Sequence, residues 1–195
     1  MLIEIEGIDG TGKTEQCKLI KQWLESRGEQ AVIVKDLEST PVGKQIRQIL
    51  KELATNIGIE LWGFACAKEH LIKEVIEPTL DAGIHVICDR GTGSLLSYFE
   101  AHGLNSDVLE RIVDTITTPK YTPTTILIDL EVSKAISRNS QKSDFGSKFD
   151  LMGNSFFEKQ RAIYLRLASA KKWHVVSGDG TIAEISNTIL GILAK

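Results

Sequence analysis

Gly7-Ile8-Asp9-Gly10-Thr11-Gly12-Lys13-Thr14 follows directly on Leu2-Ile3-Glu4-Ile5-Glu6. The octapeptide fits G-x-x-x-x-G-K-[ST], and its flanks matter as much as its letters. An apolar run of strand character enters the loop. A helical pattern leaves it, with Cys17, Leu19, Ile20, Trp23 and Leu24 falling on one face. A strand, a glycine loop and a helix in that order let several backbone N–H groups face one anion, and the helix N-terminus adds the positive end of its dipole. Gly7, Gly10 and Gly12 remove the β-carbons that would hold a polyphosphate off, and they permit positive φ. In such a loop Lys13 neutralises β- and γ-phosphates, and Thr14 offers its hydroxyl to Mg²⁺.

Working outward, 195 residues suit one domain with a sizeable core. A hydrophobic content of 42% and a charged content of 25% are those of a globular chain. The net charge of -3 gives no electrostatic case for a nucleic-acid or membrane surface. Cys17, Cys66 and Cys88 sit in apolar patterns without metal-ligand spacing and read as buried, reduced thiols, which points to the cytoplasm. The first strand starts at once and carries Glu4 and Glu6, unlike a signal peptide.

Further strands are expected at Gln30 to Val34, Ile84 to Cys88, Thr124 to Leu130 and Trp173 to Val176, five in all with the first. Helices alternate with them. Thr40 and Pro41 mark a helix start, and a long helix reads from Ile57 to about Leu80 with a kink or stop at Pro78. Asn139 to Asp150 is the most polar and least periodic stretch. This alternation predicts an α/β fold, a parallel five-stranded sheet covered by helices on both faces. Ligands then sit at the carboxyl ends of the strands, where the glycine loop, Lys35 to Glu38, Asp89 to Gly93 and the 139–150 stretch converge.

At this level the chain resembles the thymidylate kinases over nearly its whole length. The glycine loop with Asp9 is similar to their G-x-[DE]-G-x-G-K-[ST]. Lys35-Asp36-Leu37-Glu38-Ser39-Thr40-Pro41 through Arg47 lies at their R-E-P-G-G-T-P-x-G-x-x-I-R, and Phe64-Ala65-Cys66-Ala67-Lys68 at F-A-A-D-R. Val86 to Arg90 lies at V-I-x-D-R-Y, Ser94 and Tyr98 keep part of S-x-x-A-Y-Q, and Phe157 to Ala168 matches a helix of the family. The departures cluster where an acceptor nucleotide would bind. Lys35 and Lys68 stand for arginines, Leu37-Glu38-Ser39 replaces Pro-Gly-Gly, Gly91 replaces the Tyr of D-R-Y, and Phe99 replaces a Gln. Arg138, Lys142 and Lys148 match the family's lid only loosely.

The resemblance implies a P-loop nucleotide kinase fold as a single domain with a short lid at about 139–150. It also implies transfer of the γ-phosphoryl of Mg·ATP to a deoxynucleoside monophosphate, most readily dTMP, by a homodimer. Donor binding would rest on Gly7, Asp9, Gly10, Thr11, Gly12, Lys13 and Thr14. Asp89, ending a buried strand beside the loop, would share Mg²⁺ with Thr14 or pair with Arg90. Asp9 would lie between donor and acceptor, and Arg90 and Lys35 would hold the acceptor phosphate. Arg47 either joins them or is a helix-surface residue. Phe64 either stacks on the base or packs in the core; Tyr98 either faces the deoxyribose or packs. Ser94 would line the acceptor site, and Lys68 would read the base. Arg138, Lys142 and Lys148 would supply lid cations, or form a solvated basic loop. Two further readings stay open: a deoxynucleoside kinase with Asp36 or Glu38 as base for a 5′-hydroxyl, and a catalytically weak nucleotide-binding regulator.

Overall fold

The computed structural model describes residues 1–52, 56–139 and 153–194. Five strands form one sheet: β1 (Leu2–Glu6), β2 (Ala31–Lys35), β3 (His85–Asp89), β4 (Thr124–Asp129) and β5 (His174–Ser177). Their order is β2-β3-β1-β4-β5, and every pairing is parallel. The helices are α1 (Lys13–Ser26), α2 (Pro41–Glu52), α3 (Ile57–Leu71), α4 (Glu77–Asp81), α5 (Thr92–Ala101), α6 (Ser106–Ile116), α7 (Val132–Asn139), α8 (Asn154–Lys171) and α9 (Ile182–Leu193). The expected sheet is therefore present, with boundaries displaced by a residue or two.

Local chemistry starts the helices as read. Thr40 Oγ1 accepts the Gly43 amide ahead of a helix that begins at Pro41. Asn56 and Asn105 cap α3 and α6, and Thr181 with Glu184 closes a reciprocal capping box on α9. The Ile57-to-Leu80 helix needs a correction. It does not stop at Pro78; it re-registers upstream, through a π-helical turn over Ile72–Ile76. Pro78 then falls at the second residue of α4, directly after that turn.

β1 is central and wholly buried. Alternation sends Ile3 and Ile5 to one face, against Cys17, Ile20 and Leu24 of α1 and Ile185 and Ile189 of α9. Glu4 and Glu6 go to the other face, both fully buried. Cys17 and Cys88 are buried free thiols, whereas Cys66 is exposed, contrary to its apolar surroundings in sequence. Among the described residues no helix is long and apolar enough to cross a membrane.

Candidate active site

The carboxyl ends of β1, β2, β3 and β4 bring the functional side chains together. Register does much of this: Lys35 lies directly opposite Asp89, and Ile5 opposite Asp89 on the other side. Gly10 and Gly12 have φ of 88° and 92°, the left-handed region that favours glycine. A Cβ on Gly10 would lie 2.0 Å from the carbonyl oxygen of Ala135 in α7, so at Gly10 the loop meets α7 backbone to backbone. Thr11 Oγ1 closes the loop by donating to Ile8 O at 3.0 Å.

Lys13 is buried, its Nζ donating to Ile8 O at 2.7 Å and lying 4.0 Å from an Asp9 oxygen. Burial, and then the neighbouring Arg90, bring its pKa down to about 8. Thr14 Oγ1 donates to Asp89 Oδ2 at 2.6 Å. A hydroxyl and a carboxylate at one point beside a phosphate loop are hard oxygen donors. They fit Mg²⁺, which takes one or two protein oxygens and completes its shell with phosphate and water. Among the described residues no cluster of three or more His, Cys, Asp or Glu could hold a metal by itself.

Arg90 is the hub. Its backbone has a φ of 81°, an arrangement that costs a non-glycine residue roughly 1–2 kcal/mol. Its guanidinium binds Asp9 and donates to Gly7 O at 3.3 Å and Ser94 Oγ at 3.2 Å. Burial opposes its charge most strongly, but Asp9, Tyr164, Asp89 and Glu6 together outweigh it and hold the pKa above its ordinary value. Asp9, Lys13, Arg90 and Ser94 are thus joined by direct contacts, and Thr14 pairs with Asp89. Glu38 joins Lys35 to Arg47, lying 3.5 Å from Lys35 Nζ and binding Arg47 NH1, and Lys35 itself meets the site through its register with Asp89.

Three residues expected at the acceptor are engaged within the fold. Lys68 is 1% exposed, with Nζ 2.6 Å from Asp36 and 3.5 Å from Arg90 O. Burial alone would lower its pKa, but Asp36, with Cys88 and Glu4 behind it, outweighs burial and raises it. It ties the end of β2 to the loop after β3 instead of presenting donors to a base. Ser94 is buried, its hydroxyl shared among Arg90, Glu6 and Tyr164. Tyr98 is buried against Phe99, His102 and Phe156, donating to Glu60 Oε2 at 3.3 Å, so the packing role is the one seen. Phe64 lies beside it, the rings 6.1 Å apart and 26° from parallel. Arg138 donates to Gly178 O at 2.9 Å, joining α7 to the turn after β5. Lys142 and Lys148 lie outside the described residues.

Sequence reading missed the counter-charges. Asp36, Glu38 and the buried Glu4 and Glu6 pair with or support the predicted cations, and Arg161 grips Asp129 with two nitrogens at 2.7 and 2.9 Å. One signal was available: two glutamates alternating within an apolar central strand must share a face, and buried carboxylates need partners.

A family profile described as Thymidylate kinase matches residues 5–189. A thymidylate kinase of Thermosipho melanesiensis is 30% identical over 195 residues, covering 99% of this chain and 97% of the relative. One from Neisseria gonorrhoeae is 33% identical over 199 residues, covering 98% and 95%. One from Citrifermentans bemidjiense is 35% identical over 196 residues, covering 93% and 86%.

Proposed function

The chain belongs to the thymidylate kinase family, and from that premise we propose that it transfers the γ-phosphoryl of ATP to dTMP, giving dTDP and ADP. The observation that carries this is the arrangement around Asp9. Lys13 and Arg90 both meet this carboxylate. Lys13, with the Thr14–Asp89 pair, suits a polyphosphate and its metal, and Arg90, with Lys35 opposite Asp89 in the sheet, suits a second phosphate. Two sets of cations about one carboxylate suit transfer between two phosphorylated ligands.

In this reading Lys13 draws charge from the β- and γ-oxygens, and Thr14 and Asp89 hold Mg²⁺. The ion, when bound, neutralises the charge that develops on the transferring group. Arg90 grips the acceptor phosphate with a planar fork, Lys35 adds a point charge, and Arg47 stands behind Glu38 as a third cation. Asp9 orients Arg90 and faces the acceptor. An ionised phosphate is the nucleophile, so no general base is required. Asp36 and Glu38 serve in this reading as counter-charges, to Lys68 and to Lys35 and Arg47. Phe64 offers a ring face to the base, and Arg138 supplies a cation near the donor from the end of α7.

A homodimer belongs to the same reading. Ile59, Trp62 and Cys66 follow one another at helical spacing along α3 and are exposed, Trp62 by 65%, with Ile49 of the adjoining α2 also exposed. An apolar stripe of this kind on a helix suits a second copy. The buried free thiols Cys17 and Cys88 suit a reducing compartment such as the cytoplasm.

The test is ADP release with dTMP, thymidine and dCMP offered in parallel, with the product identified by chromatography. The expected result is stoichiometric dTDP from dTMP and no turnover of thymidine. Phosphorylation of thymidine with dTMP inert would refute the reading.

A further inference from the structure

Glu4 and Glu6 are fully buried on one face of the central strand. Their partners are the first amides of α5. Glu6 Oε1 accepts from the backbone N–H groups of Gly91 and Ser94, both at 2.9 Å. Its other oxygen accepts from Ser94 Oγ at 2.6 Å and Tyr164 OH at 3.1 Å. Glu4 Oε1 accepts from Thr92 N–H at 2.9 Å and Tyr121 OH at 2.6 Å, and Oε2 from Thr125 Oγ1 at 2.9 Å. Two carboxylates therefore hold three of the four otherwise unpaired amides at this helix start, where negative charge is favourable.

Arg90 immediately precedes that clamp. Its own N–H donates to Ile5 O at 3.2 Å, so the peptide before it is fixed by β1's backbone and the peptide after it by a β1 side chain. Between two fixed peptides, Arg90 is held at its φ of 81°. That conformation sends its guanidinium back to Asp9 and Gly7. The glycines make room for this. A Cβ on Gly91 would lie 2.0 Å from Glu4 Cδ and Oε1, and one on Gly93 would lie 2.9 Å from Glu6 Oε1. Gly91 stands where the resembled motif has tyrosine, and any side chain larger than hydrogen there would displace the Glu4 carboxylate from this position.

We propose that Glu4 and Glu6 are positioning residues for Arg90, with Glu4 and Gly91 a matched pair: the glycine admits the carboxylate, and the carboxylate fixes the loop that aims the arginine. The proposal rests on the reading that Arg90 meets the acceptor phosphate. The two are kept distinguishable by measuring both kinetics and geometry.

Steady-state kinetics of Glu4→Ala and Glu4→Gln, with dTMP and ATP varied separately and melting curves alongside, provide the first arm. Glu4→Ala leaves Thr92 N–H and the hydroxyls of Thr92, Tyr121 and Thr125 without their acceptor. It is expected to raise KM for dTMP about ten-fold or more while KM for ATP stays within about two-fold. Glu4→Gln keeps an oxygen for Thr92 and Tyr121 and should bring the dTMP value to within about three-fold of the unmutated protein. Both constants moving together, neither moving, or Glu4→Gln failing as badly as Glu4→Ala overturns the proposal. Should Glu4→Ala not fold, Tyr121→Phe, which removes one donor to Glu4 and fills the same space, is expected to show the same split at about three-fold. The second arm is a crystal structure of the variant that folds. Arg90 unmoved from its left-handed conformation overturns the positioning role whatever the acceptor. Arg90 displaced, in a protein whose unmutated form ignores dTMP, sinks the functional reading and leaves the positioning role standing.

Discussion

Lys13 should take up a proton when ATP binds at alkaline pH. Its ammonium is buried beside Arg90, and its pKa has come down from 10.5 to about 8. A triphosphate laid against it adds several negative charges within contact distance and returns the pKa toward or above its ordinary value. The free protein is then about 10%, 50% and 90% uncharged at this lysine at pH 7, 8 and 9, and binding restores those fractions of a proton. Phosphate groups with a second pKa near ~6 are already ionised at pH 8 and above, so the nucleotide does not offset the uptake. Calorimetry at pH 8 and 9, in buffers of differing ionisation enthalpy, reads the number of protons directly. ATP affinity should fall above pH 8, by up to about ten-fold per pH unit. The sign for folding is opposite. With the folded pKa below the unfolded one, the unfolded chain binds more protons between about 8 and 10.5, and the nucleotide-free fold gains stability as pH rises through that window. The gap corresponds to roughly 3 kcal/mol, the penalty of keeping Lys13 charged inside the loop at lower pH. No proton uptake at pH 9, or an uptake that persists in Lys13→Met, would refute the reasoning.

Three further outcomes follow from particular contacts. Lys68→Met leaves Asp36 buried without its partner and should cost about 3–5 kcal/mol in urea unfolding, shrinking sharply in an Asp36→Asn background; equal losses in both backgrounds would show the pair to be uncoupled. The same variant should leave the preference for dTMP over dCMP unmoved, because the ammonium is committed to Asp36. Gly10→Ala drives a methyl group into the Ala135 carbonyl and should weaken ATP binding at least about ten-fold, whereas Gly28→Ala, with φ of 78° and open space around it, should lose about 1 kcal/mol of stability and no ATP affinity. Trp62→Lys places a charge in the exposed stripe of α3 and should convert a dimer to a monomer by light scattering at micromolar concentration; a monomeric unmutated protein would remove the dimer from the proposal.

The fold was legible because its signals are local. The glycine loop between strand and helix, the Thr40-Pro41 start and the apolar runs of β3 and β4 each specify their conformation within a few residues, and parallel crossover rules then leave little choice of topology. The π-helical turn at Ile72–Ile76 was not legible. A proline announces that the helical ladder must change nearby, but packing decides on which side of it the change falls. Cys66 misled for a related reason: an apolar neighbourhood in sequence does not say which side of a helix faces out, and here it shares the exposed side with Trp62.

The loop we propose for the donor was legible for the same reason as the fold: Lys13 and Thr14 belong to the stretch that positions them. The residues we propose for the acceptor depend on pairings between positions far apart in the chain. Whether Lys68 reads a base or pairs with a carboxylate turns on Asp36, thirty-two positions earlier, and on the β2–β3 register that brings Lys35 opposite Asp89. A lysine at an arginine position is read from sequence as a weaker fork in the same place. In the folded protein it is a shorter point charge that a buried carboxylate holds back from the cleft. Ser94 shows the same effect, its hydroxyl drawn to Glu6 across 88 positions. Charge substitutions at a binding site therefore cannot be interpreted one at a time. Their meaning lies with the opposite charge that the topology delivers, and at this acceptor site the topology delivers Asp36 to Lys68, Glu38 to Lys35 and Arg47, and Asp9 to Arg90.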